Sequence, residues 1–118
     1  MIQDTTLREG QQTAFVSFTR DQKVALAAML SDFGVDFIDM MPVASGKELS
    51  INKELNGMGL RPKVVSLCRT MTEDIDKAVE ADAGWVGIFQ GTSSIHLESK
   101  LRMDEEAGLR KISDSIRY

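Results

Sequence analysis

The chain has 118 residues, of which 42% are hydrophobic and 27% charged, and its formal net charge is −4. This is the balance of one globular domain, or a piece of one, able to bury roughly two-thirds of its unfolded surface. No run of lysine and arginine invites nucleic acid or an anionic membrane, no apolar stretch approaches the ~18 residues of a membrane span, and a single cysteine, Cys68, excludes an internal disulfide.

Ile2 to Leu7 reads as a short strand, followed by a loop through Phe18. Thr19 and Gln22 have the spacing of a capping box and open a helix that Gly34 ends. Val24, Ala27, Ala28 and Ser31, flanked by Leu26, Leu30 and Phe33, give it a wide packing stripe. Val35 to Met41 forms a second strand, closed by Pro42. Ser45 and Glu48 repeat the capping-box spacing before a helix to Asn56, which Gly57 and Gly59 break. A third strand, Lys63 to Cys68, ends on Arg69. Thr70 and Glu73 give a third capping signature, and that helix runs to Ala81, with Gly84 beyond it. Trp85 to Gln90 is the fourth strand. A polar loop, Gly91 to Lys100, leads to a last helix from Met103 that still runs at Tyr118.

The order is β-α four times, at roughly 25–30 residues per unit, which implies parallel strands joined by right-handed crossovers. The fold class is therefore α/β. An open doubly wound sheet and a (β/α)8 barrel both fit; a barrel takes about 250 residues, so this chain would be about four units of eight. No linker interrupts residues 1–118, which read as one unit.

In either architecture ligands gather at the carboxyl ends of the strands. Arg8 and Glu9 follow the first strand, Asp39 lies late in the second, Arg69 follows the third, and Gln90 and Thr92 follow the fourth. An ordinary surface ion pair would account for Arg8 and Glu9 alone. Four strand ends agreeing on one polar face favour a site. Glu9 is an oxygen ligand suited to a divalent metal, although one carboxylate does not make a centre. Arg8 is a permanent cation able to hold a carboxylate or steady an enolate oxygen. Gln12 can hydrogen-bond a carbonyl or the same carboxylate. Together these residues suit a 2-oxo acid.

The remaining candidates read as structural. His96, the only histidine, is a half-exposed loop residue ahead of a general base. Cys68 is buried and inert, Met40 and Met41 are packing, and Glu98 and Lys100 are solvated. Neither a Gly-x-Gly-x-x-Gly turn nor a Gly-x4-Gly-Lys-Ser/Thr loop is present, which argues against dinucleotide and P-loop nucleotide binding.

Asp4-Thr5-Thr6-Leu7-Arg8-Glu9-Gly10-Gln11-Gln12 resembles the opening motif of the metal-dependent Claisen-condensing synthases, the 2-isopropylmalate, homocitrate and citramalate synthases. Gly34 to Asp39 with Pro42, Ala44 and Ser45 is similar to their second unit. Ser66 to Arg69 with Glu73 to Asp76 is similar to their third, and Thr92 to Leu101 to their loop after strand four. The resemblance covers the chain in order. It implies a TIM barrel of which this is the N-terminal half, and a reaction condensing acetyl-CoA with a 2-oxo acid, as in leucine and related amino-acid biosynthesis. It implies Glu9 as a ligand of a divalent metal (Mg, Mn or Zn), Arg8 as the catalytic arginine, and Arg8, Gln12, Asp39 and Thr92 as substrate-binding residues. Met40-Met41 departs from the small residues usual before the proline, and the family's later His-x-His metal ligands are absent.

The expected entity is thus an acyltransferase half-barrel, inactive alone, cytoplasmic, and paired as a homodimer or with its missing half because a half-barrel leaves two sheet edges open. Two alternatives stand beside it. One is a lyase or carboxyltransferase of the same barrel superfamily, against which the 91–101 loop argues. The other is a non-catalytic half-barrel with a binding or regulatory role.

Overall fold

A computed structural model describes all residues from 1 to 118. Strands β1 (Gln3–Asp4), β2 (Phe37–Met40), β3 (Lys63–Arg69) and β4 (Trp85–Phe89) alternate with helices α1 (Arg20–Phe33), α2 (Gly46–Gly57) and α3 (Thr72–Glu80). After β4 come a single turn, α4 (Ser94–His96), a π-helical turn at Leu97–Leu101 and the long helix α5 (Glu105–Arg117).

All four strands are parallel, and their order is β1-β2-β3-β4. That order decides between the two architectures. Right-handed crossovers that always step the same way leave every helix on one face of the sheet. A doubly wound sheet must reverse its strand order to cover both faces. This sheet never reverses, so it is half of a barrel wall.

The register separates its two faces. Ile38 lies opposite Val64, and Ser66 opposite Val86. Ile38, Met40 and Val64 join Leu7, Ala27, Val35, Ile51 and Leu55 in one buried cluster. Each large side chain in it contributes roughly 1.5–3 kcal/mol by leaving water. By alternation the other face carries Phe37, Asp39, Val65, Leu67, Trp85, Gly87 and Phe89. There Phe37 and Trp85 meet edge to face at 5.8 Å. Leu67 packs over Gly87 so closely that an added Cβ would sit 2.6 Å from Leu67 Cδ2. Trp85 and Phe89 remain half exposed on this concave side.

Several local expectations are corrected. The first strand is two residues long rather than six. Asp4 Oδ1 accepts the Thr6 amide at 2.9 Å and Oδ2 its hydroxyl at 3.1 Å, turning the chain out of the sheet at once. Thr19 and Gln22 do form both halves of a capping box, and Gly34 ends α1 at φ 91°. Ser45 caps α2, but Glu48 does not reach back to it; its carboxylate pairs with the buried Lys23 instead. Thr70 is not a cap. Its hydroxyl donates to Gln90 Oε1 at 2.6 Å, and α3 begins two residues later behind Met71. The expected loop at 91–100 is largely helical, because the Ser93 hydroxyl accepts the His96 amide and starts a turn.

Candidate active site

The turn after β1 builds the site. The Thr5 carbonyl accepts the amides of Arg8 and Glu9 at 3.0 and 2.7 Å, and Leu7, 1% exposed, pins the turn into the core. A 3-10 turn, Gly10–Gln12, continues from it. Gly10 passes close to Thr6, where a Cβ would lie 3.2 Å from Cγ2.

Arg8 therefore stands over the carboxyl end of β2. Its Nη1 pairs with Glu9 Oε1, and its Nη2 lies 3.3 Å from Asp39 Oδ2. Asp39, 1% exposed, also accepts Gln3 Nε2 at 2.7 Å. A carboxylate out of water needs such partners; stripped of one, it costs about 3–5 kcal/mol. Arg8 Nε is buried and has no partner. The guanidinium is thus held by two carboxylates, with its Nε–H left unpartnered. Glu9 faces outward, its side chain 55% exposed.

The structure brings Arg8, Glu9 and Asp39 together. Gln12 lies one turn along and is exposed. Thr92 is exposed too, and lines a small cavity of about 40 Å³ with Gln90, Leu97, Glu105 and Gly108 rather than joining the Arg8 hydrogen bonds. Arg69 is bound elsewhere: its Nε and Nη2 donate to both oxygens of Asp74 at 2.7 Å, and its amide to Oδ2 at 3.0 Å. These bonds hold the Asp74 carboxyl below the usual carboxylate range. Gln90 joins Thr70 to the Gly108 carbonyl, 3.2 Å from its Nε2. His96 is part-buried against Gly91, where a Cβ would fall 2.5 Å from the ring. Cys68 is fully buried, and burial pushes its thiol up to about 11.

Gln3 is the residue of this group that the sequence reading passes over. Its signal was parity: Gln3 pairs in register with Phe37, two residues before Asp39, so both side chains share the concave face.

No three His, Cys, Asp or Glu side chains converge closely enough to hold a metal ion. Glu9 is a suitable outward-facing oxygen donor. Asp39 has one oxygen bonded to Gln3 and the other to Arg8. The donor set of this chain thus fits one corner of a divalent-metal centre and not a whole one.

The molecule is a singly wound half-barrel with an arginine clamped between carboxylates at the strand ends. Residues 1–118 match the HMGL-like family model from end to end, and the chain belongs to that family, whose domain is a metal-dependent TIM barrel. It is 42% identical over 118 residues to a protein of Ignicoccus hospitalis named a probable 2-isopropylmalate synthase, covering 99% of this chain and 30% of that one. It is 40% identical over 119 residues to homocitrate synthase AksA of Methanopyrus kandleri, covering 100% and 30%. It is also 40% identical to a 2-isopropylmalate synthase of Sulfurisphaera tokodaii, covering 99% and 31%. The chain spans about 30% of the length of these relatives.

Proposed function

We propose that residues 1–118 are the N-terminal half of the catalytic barrel of an acyltransferase that condenses acetyl-CoA with a 2-oxo acid. The names of the relatives support this, and the observation that carries it is Arg8. Its guanidinium is oriented by Glu9 and Asp39 and retains an unpartnered Nε at the strand ends. A fixed cation there stabilises the oxygen on which negative charge develops as the acetyl unit adds to the acceptor ketone.

In this reading Asp39, held in turn by Gln3, orients the guanidinium, and Gln12 and Thr92 contribute hydrogen bonds to substrate. A divalent cation, Mg, Mn or Zn, would polarise the acceptor ketone, with Glu9 as one of its ligands. In the whole reaction a base takes a proton from the acetyl methyl group and the new carbon–carbon bond forms to the ketone carbon. Water then cleaves the thioester and releases the thiol of CoA. The remaining ligands and the base would come from the complementary half-barrel, supplied by a longer chain or by pairing with a partner.

Thiol release from acetyl-CoA, measured across a panel of 2-oxo acids, tests the reading. The protein with a complete barrel should release thiol only with an acceptor present, and the 118-residue chain alone should not. Arg8→Lys should lower turnover by about 100-fold or more, since an ammonium cannot reproduce the planar fork; a rate near wild type would remove Arg8 from the chemistry. Glu9→Ala should abolish the metal-dependent rate, and undiminished turnover in chelator would remove Glu9 from the ligand set. Acceptor cleavage without condensation would favour a lyase.

A further inference from the structure

Lys23 on α1 is 1% exposed, a rare burial for a lysine. Its ammonium pairs with Glu48 on α2, whose side chain is only 11% exposed. Taking both ions from water costs several kcal/mol each, and a well-packed apolar pair there would hold the helices together at least as well. Helix packing alone therefore does not account for the pair. The oxygen that receives Lys23, Glu48 Oε1, also accepts Gln11 Nε2 at 3.3 Å. Gln11 is the middle residue of the Gly10–Gln12 turn, between Glu9 and Gln12. Its own Oε1 is buried without a partner, and its nitrogen faces Glu48, since reversed it would set oxygen against carboxylate.

We infer that Lys23 and Glu48 are positioning residues that lock the Glu9–Gln12 turn through Gln11 and so set the geometry of the acceptor pocket. This rests on the reading of that turn as part of a 2-oxo acid site. The backbone transmits the constraint: the Gln11 amide bonds the Thr6 carbonyl at 3.2 Å, and the Gln12 amide the Glu9 carbonyl at 3.0 Å. Lys23 neutralises Glu48 and keeps its carboxylate turned toward the loop, away from its own helix start. Two helices on the outer layer thereby hold a loop at the strand ends.

The test uses a complete-barrel protein and three variants. Lys23→Met with Glu48→Leu removes the charges and the acceptor together. Lys23→Met with Glu48→Gln removes the charges but keeps an amide oxygen for Gln11. Gln11→Leu leaves the ion pair untouched and removes the link, so a result survives even if the first variant fails to fold. Amide hydrogen exchange over residues 9–13 should quicken about tenfold or more in the Leu-bearing variants and by less with Glu48→Gln, which keeps the acceptor but loses the hold of Lys23. KM for the 2-oxo acid should follow the same pattern, while KM for acetyl-CoA stays within about twofold. Unchanged exchange over 9–13 in Gln11→Leu, or a matching rise in both KM values, would overturn the inference. If wild type itself releases no thiol, the functional reading falls, and the exchange data still decide whether the pair fixes the turn.

Discussion

At the scale of single residues, the ion pair between Arg69 and Asp74 gives the clearest pH dependence. The carboxylate accepts three hydrogen bonds from one arginine, and the guanidinium holds its proton affinity down. A folded-state value below the unfolded one means stability that is fully present above about pH 3.9 and lost as pH falls through the folded value. Asp74→Asn should cost about 1 kcal/mol at neutral pH, because the amide keeps one acceptor for the half-exposed Arg69 but gives up the charge. It should also flatten the acid limb of a plot of urea midpoint against pH; an unchanged limb would assign the acid loss to other carboxylates. Cys68 moves the opposite way. Burial first and the Asp74 charge second push its thiol up to about 11, so the side chain stays protonated at neutral pH. A disulfide reagent should label it only after denaturation; rapid labelling of the native chain would show that the strand opens there.

At the scale of elements, the sequence disclosed what depends on neighbours a turn away. Thr19 sits three residues before Gln22 and the capping box formed, because both halves of that interaction are local. Ser45 with Glu48 and Thr70 with Glu73 have the same spacing, and neither completed it. Glu48 was claimed by Lys23, 25 residues earlier, and Thr70 by Gln90, 20 residues later. No local rule reports a competitor at that separation. Lys23 itself was illegible for the same reason: a lysine on a helix is nearly always solvated, and only the placement of α2 against α1 reveals it as buried. The site was half legible. Arg8 and Glu9 stand next to each other, and Asp39 shows as an acid within an apolar strand. The hold of Asp39 on Arg8, with Gln3 bonding the other Asp39 oxygen, needed the register of β1 on β2. Gly34, at φ 91° with nothing within 4 Å of a Cβ, is a local stop that sequence identified correctly. Gly34→Ala should lower stability by about 1 kcal/mol through backbone strain alone, measured by chemical denaturation; no loss would mean that the α1–β2 turn relaxes freely.

At the scale of the molecule, the unpaired sides of β1 and β4 and the half-exposed Trp85 and Phe89 describe a wall built to be continued. Strand edges of this kind recruit other strands. The isolated 118-residue chain should therefore appear in light scattering as species heavier than 13.1 kDa, and a monomer would show that the edges are self-protected. The strictly sequential strand order also bears on how such a wall is made on the ribosome. Each strand emerges when the one it must pair with already exists, and the newest strand is always the growing edge. β1 alone has no earlier strand to pair with in this sheet, and its two residues gain their ladder only when Phe37 and Ile38 appear. The turn that carries Arg8 is thus the first part of the site to be synthesised, and β2 must follow before it is held in place.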